Sequence, residues 1–114
     1  MTALRRAPEA GDGVRLAFDP QVGHEQARHR PALVISPASY NARNGLMVCG
    51  PLTTRIKGHP FEVLVEIDGV HGAVLSDPVK SLDWKARRAR TKSAVPAEVM
   101  VQVRAKLKAL LAIS

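Results

Sequence analysis

The chain has 114 residues and a net charge of +7 at neutral pH, with 46% hydrophobic and 24% charged side chains. Those values describe one modest globular core and exclude a disordered, collagen-like or coiled-coil chain, and no apolar run approaches the roughly 18 residues a membrane-crossing helix needs. One cysteine, Cys49, rules out an internal disulfide framework and a cysteine-based zinc cage, so a reducing cytoplasm is the expected compartment.

In chain order, residues 1–10 are a polar lead-in to a single domain over 11–114, opening at the turn signal Gly11-Asp12. Two arginines near the start have no apolar stretch behind them, so no secretory signal is expected. Val14, Leu16 and Phe18 alternate with Arg15 and Ala17, the period of a half-buried strand. Residues 19–30 lack periodicity and form a long loop, a kind of connection that often carries function. Pro31 to Pro37 is a proline-fenced strand, Tyr40 to Gly45 a turn, and Leu46 to Leu52 a buried strand. A second polar loop, Thr53 to Pro60, precedes an alternating strand at Phe61, Val63, Val65 and Ile67. Asp68-Gly69 and His71-Gly72 predict a hairpin into Ala73–Leu75, and Val79 to Trp84 a further short strand. The basic run Ala86 to Lys92 is expected to be a loop before a helix. That helix has Pro96 at its first position and an apolar stripe at Val99, Val103, Leu107, Leu110 and Leu111. The fold class is therefore mainly β with α, a small curved antiparallel sheet or barrel with a C-terminal helix packed on it.

Charge is unevenly spread. Residues 1–79 hold eight basic and eight acidic side chains, whereas residues 80–114 hold nine basic and two acidic, so the excess sits in the last third. Such a patch attracts polyanions, nucleic acid first among them, although charge does not distinguish RNA, DNA and an acidic protein. The two polar loops supply the chemistry. One contains Glu25, Arg28, His29 and Arg30; the other contains Thr53, Thr54, Arg55 and Lys57. Together they offer a base (Glu25 or His29), phosphate-pairing guanidinium groups and hydroxyl donors, the parts needed to cleave RNA without a metal. Solvated loops have the same composition, so the residue types alone leave function open. The four histidines have no ligand-pair spacing, so no metal or other cofactor is expected, and Cys49 in an apolar strand is expected to be an inert buried thiol.

Ordered motifs add to this reading. Gly11-Asp12, Phe18-Asp19-Pro20 and the run Gly23-His24-Glu25-Gln26-Ala27-Arg28-His29-Arg30-Pro31-Ala32-Leu33-Val34-Ile35-Ser36-Pro37 closely resemble the opening of the MazF/PemK toxins. The match continues through Tyr40-Asn41, Gly45-Leu46, Pro51-Leu52-Thr53-Thr54, Lys57-Gly58, Pro60-Phe61-Glu62-Val63, Val79-Lys80-Ser81, Trp84 and Ala86-Arg87. It covers nearly the whole chain from about residue 11.

The resemblance implies an SH3-like β-barrel with a helix, a homodimer, and sequence-specific, metal-independent endoribonuclease cleavage of single-stranded RNA, chiefly mRNA, which stops translation and growth. It implies 2′,3′-cyclic phosphate and 5′-hydroxyl ends, and an antitoxin partner with an acidic, flexible C-terminal segment. The family's catalytic arginine matches Arg30 and its catalytic threonine matches Thr53, with Glu25 and His29 the alternatives for the base. Arg28, Thr54, Arg55, Lys57, Lys80 and Arg87 are the expected RNA-binding residues, with Arg87, Arg88 and Arg90 supplying longer-range attraction. Departures from the pattern fall at Gly13, Arg15 and Pro78. The last replaces a glutamine in the family's usual motif, so base preference does not carry over. A gyrase-poisoning toxin is the contrasting reading, but the chain ends Leu110-Leu111-Ala112-Ile113-Ser114 rather than in the Trp-Gly-Ile type of terminus.

Overall fold

Val14 and Leu16 are fully buried while Arg15 between them is only partly so, as strand alternation requires. They lie on β1 (Asp12–Ala17), the first element of a computed structural model that describes residues 6–17 and 29–114. The other strands are β2 (His29–Val34), β3 (Leu46–Thr53), β4 (Glu62–Ile67), β5 (Val70–Leu75), β6 (Lys80–Asp83) and β7 (Arg90–Ala94). The helices are α1 (Ala38–Asn44) and α2 (Ala97–Leu110).

All recorded pairings are antiparallel, and the strands run β4-β5-β3-β2-β1-β7 with β6 also beside β3. β3 is the pivot. One edge meets β2; along the other, Leu46–Cys49 face Lys80–Asp83 of β6 and Leu52–Thr53 face Ala73–Val74 of β5. The sheet curls until β4 approaches both β2 and β7. Its two faces bury separate clusters. Val14, Leu16, Ala32, Val34, Met47, Cys49, Leu82 and Trp84 form one. Leu33, Val63, Ile67 and Val74 form the other, against Val99, Met100 and Val103 of α2. The curved antiparallel barrel with a C-terminal helix is thus the observed architecture. Among the described residues no helix is long and apolar enough to cross a membrane.

Three expectations change. Tyr40–Gly45 is not a turn: it belongs to α1, ended by Gly45 at φ 70°. Its asparagines suggest a turn, but Asn41 is wholly buried, with Nδ2 donating to Pro8 O and Ser36 O and Oδ1 accepting from Ser36 Oγ. Trp84 Nε1 donates to the Asn41 carbonyl at 2.9 Å, so tertiary bonds rather than helix propensity hold this short helix. The same contacts dock the end of the lead-in, where Pro8 is buried. The Glu9 carboxylate accepts the Ala38 and Ala10 amides, which hold its carboxyl below the usual range, so this bond persists above that range and is lost as pH falls through the lowered value.

The basic run before the helix is only partly a loop, because Arg90–Ala94 is a strand paired with β1. Charged side chains on a sheet edge conceal strand periodicity and discourage pairing with another chain. Of the long loop expected over 19–30, His29 and Arg30 belong to β2, while Phe18 and residues 19–28 lie outside the described residues.

The remaining elements differ at their boundaries. The hairpin turn is Asp68-Gly69 at φ 52° and 77°, the positive pair of a type I′ turn, with His71-Gly72 inside β5. Pro96 precedes the first helical residue, Ala97. Val99 and Val103 of the apolar stripe are buried and Leu107 is half-buried, but Leu110 and Leu111 are exposed.

Candidate active site

β2 and β3 carry the centre of the site. Their recorded pairs are Val34 with Cys49, Leu33 with Gly50 and Ala32 with Pro51. The recorded pairing stops at Ala32 and Pro51; alternation carried two residues on puts Arg30 on the face of Ala32 and Thr53 on the face of Pro51. Residues directly opposite on antiparallel strands share a sheet face, so the guanidinium and the hydroxyl belong to one side. It is the side of Leu16, which pairs with Arg30, and of Ala32, Val34, Met47 and Cys49.

Two further cations join that face. Lys80 pairs with Cys49, and Arg87 Nη1 donates to Ala17 O at 2.9 Å, at the end of β1. Burial pushes the Cys49 thiol up to about 12, while Arg87 and Lys80 pull it the other way, which places both near the same sulfur. A thiol in that state is neutral at physiological pH, and thiolate is the reactive form. Cys49 should therefore react with iodoacetamide at pH 8 only at the rate of global unfolding. Rapid labelling of the native protein would contradict its burial.

Thr53 is held from both sides. Its backbone pairs with Ala73 of β5, and its Oγ1 accepts the Arg55 N–H at 3.1 Å. A hydroxyl that accepts a backbone bond keeps its own hydrogen for donation to a ligand. Thr54, Arg55 and Lys57 follow on an exposed loop. The Glu62 carboxylate shapes that loop by accepting Lys57 N–H at 3.2 Å and Gly58 N–H at 2.9 Å. Glu62 had no assigned role in the sequence, where it is one of two glutamates in an alternating strand; no spacing signal marks a carboxylate that folds back on a preceding loop.

His29 does not join this cluster. It pairs with Ala17 and so faces the side of Arg15 and Pro31, where it lines a cleft with Arg15, Arg88, Arg90 and Lys92. Glu25 and Arg28 lie outside the described residues. Alternation therefore gives Arg30 and Thr53 one sheet face, with Lys80 and Arg87 beside Cys49 on that face, leaves Thr54, Arg55 and Lys57 on the loop after Thr53, and separates His29. Cations that share a sheet face with a hydroxyl donor suit a phosphodiester chain, whose charge each guanidinium can meet with paired N–H groups.

A family model described as "PemK-like, MazF-like toxin of type II toxin-antitoxin system" matches residues 9–111. The chain belongs to that toxin family. Among individual PemK/MazF-like proteins, the Escherichia coli K12 endoribonuclease toxin MazF is 44% identical over 107 residues, spanning 94% of this chain and 96% of that one. A crystal structure of MazF from Deinococcus radiodurans superposes with a TM-score of 0.82 at 52% identity, covering 94% of this chain and 98% of that chain. A MazE–MazF crystal structure from the same organism gives a TM-score of 0.83 at 47% identity over 95% and 98%. The PemK/MazF-like sheet and its C-terminal helix thus match solved structures along nearly their full length.

Proposed function

We propose that this PemK/MazF-family endoribonuclease is the toxin of a type II toxin–antitoxin pair and cleaves single-stranded RNA, chiefly mRNA, at a short recurrent sequence without a metal. The observation that supports the reading most is that strand alternation gives Arg30, near the start of β2, and Thr53, at the end of β3, the same sheet face. The ribose 2′-oxygen attacks the adjacent phosphorus as its proton passes to a base, and the bond from phosphorus to the 5′-oxygen breaks. A proton delivered to that oxygen leaves a 5′-hydroxyl beside a 2′,3′-cyclic phosphate. Arg30, protonated at any physiological pH, balances charge on the pentacoordinate phosphorus and assists departure of the 5′-oxygen. Thr53 Oγ donates to a non-bridging oxygen, and Lys80, Arg87, Arg55 and Lys57 anchor neighbouring phosphates.

For the base, Glu25 is favoured over His29, whose strand position turns it toward the other face. Glu25→Gln should slow cleavage about 100-fold and remove the acid limb of the pH–rate profile, while His29→Gln stays within about threefold of wild type. The opposite ranking would transfer the role to His29. Loss of translation and growth arrest follow from mRNA cleavage. The partners are a second copy of the chain in a homodimer and a MazE-like antitoxin whose acidic C-terminal segment occupies the cationic groove through the charge complementarity that RNA also uses.

The deciding experiment incubates the protein with long single-stranded RNA in excess chelator and maps both new ends. Cuts at a recurrent motif with cyclic-phosphate ends are expected. Binding without cleavage would reduce the chain to a nucleic-acid-binding module.

A further inference from the structure

A cleft of about 820 Å³ opens between the end of the lead-in and the segment joining β6 to β7. Arg6, Lys85, Arg88 and Arg90 line it, with Pro8 and Trp84 as its apolar floor and no acidic side chain among its lining residues. Arg88 and Arg90 also line the neighbouring cleft that holds Arg15, Lys92 and His29. Through those shared arginines the two clefts adjoin as a cationic groove along the β7 edge; its far end is lined by His29, next to Arg30 in the chain but on the other sheet face.

Apart from Arg15, the groove's cations form no ion pair with an acid among the described residues. Asp83 Oδ1 accepts the Lys85 and Ala86 amides, and Asp12 Oδ2 accepts Glu9 N–H and Thr91 Oγ1. Asp68 pairs with Arg15, which is the one arginine of the groove joined to a carboxylate among the described residues. Lys85 Nζ lies 5.3 Å from the centre of the Trp84 ring, which fixes its stem against the floor. Arg88 holds a left-handed backbone at φ 55°, an unfavourable conformation for a side chain of its size, and it turns the segment so that Ala89 N–H reaches Trp84 O at 2.9 Å. That turn sets Arg88 between the two clefts.

We infer that this groove is a second RNA-backbone site, which holds the phosphates flanking the scissile linkage while Arg30 and Thr53 act on the linkage itself. This rests on the RNA-cleaving reading and adds bound occupancy to the longer-range attraction expected of Arg88 and Arg90. Guanidinium and ammonium groups spaced along a groove, which outnumber its two uncharged polar side chains Thr91 and His29, suit a repeating phosphate chain. A substrate reaching only the central cluster would leave the groove empty, whereas a longer one would fill it.

The test uses Lys85→Gln/Arg88→Asn/Arg90→Gln. Asparagine tolerates the left-handed turn at position 88, and none of the three belongs to the cleavage cluster. Binding is read with a 30-nucleotide 2′-O-methyl RNA, which cannot be cleaved, and turnover with an unmodified five-nucleotide substrate spanning the cut. Single-strand counterion release of about 0.7 per phosphate contact predicts about 100-fold weaker 30-mer binding in 0.1 M salt and a salt slope smaller by about 2. Cleavage of the short substrate should be unchanged. An unaltered 30-mer affinity overturns the proposal, as does an equal loss with both lengths. If the variant loses affinity for a polyglutamate peptide but not for the 30-mer, the groove takes an acidic peptide and the proposal fails. Failure of wild type to cleave any RNA would defeat the proposed function instead, and the uncleavable 30-mer keeps that result separate.

Discussion

Arg30→Ala is expected to lower single-turnover cleavage by at least about 1000-fold and Thr53→Ala by about 100- to 1000-fold, the range for losing a preorganised donor from a site where charge develops. On the proposed assignment the two act on the same phosphorus, so their effects should not add, and the double variant should fall little below the worse single one. The guanidinium also removes charge that RNA would meet in the ground state, so Arg30→Lys distinguishes its roles. A lysine keeps the charge but lacks the planar pair of N–H groups. Near-normal affinity with cleavage still down by about 100-fold would mark geometry in the transition state as the contribution of Arg30. Retention of wild-type rates by both alanine variants would refute the assignment.

Gly72→Ala should be the most damaging single methyl group near the site. A Cβ there would lie 2.3 Å from the Thr53 carbonyl oxygen and 3.1 Å from its carbon, both backbone atoms with nowhere to retreat. Relief requires β5 to move off β3 at the residue pair that fixes Thr53. We expect a loss of about 3 kcal/mol, at the upper end for overpacking, and a melting temperature lower by about 12 °C. Cleavage should fall even at temperatures where the variant remains folded, because the Thr53 hydroxyl moves with its strand. Gly45→Ala is the control. It meets nothing within 4 Å and carries only the penalty of its φ of 70°, about 1 kcal/mol, with cleavage intact. Equal catalytic losses in the two variants, measured well below their melting temperatures, would mean that β5 does not position Thr53.

The parts of this molecule that were legible in sequence are those where local periodicity and burial agree. β1, β3, β4 and α2 follow apolar spacing, and the cores they fill are the expected ones. α1 was hidden because Asn41 and Asn44 carry a turn composition, while the bonds that stabilise the helix reach to Pro8 and Trp84, far along the chain. β7 was hidden because Arg90 and Lys92 sit on an edge, where exposure rather than alternation governs residue choice. Arg30 and Thr53 could be singled out by motif, but their shared sheet face is a property of pairing between strands separated by α1. The turning of His29 away from Arg30 needed only strand alternation once β2 was known to begin there; the loop expectation concealed it.

The closing partner of β1 comes from residues 90–94, and Arg87 reaches back to Ala17 across seventy positions of chain. During synthesis the first strand therefore waits for most of the polypeptide to emerge before its outer edge is satisfied, and contacts of such span are slow to form. A nascent fragment ending before Arg87 would contain Arg30 and Thr53 yet lack the ties that frame them. Translation cut short before Arg87 would therefore release chains that lack both of these ties to β1.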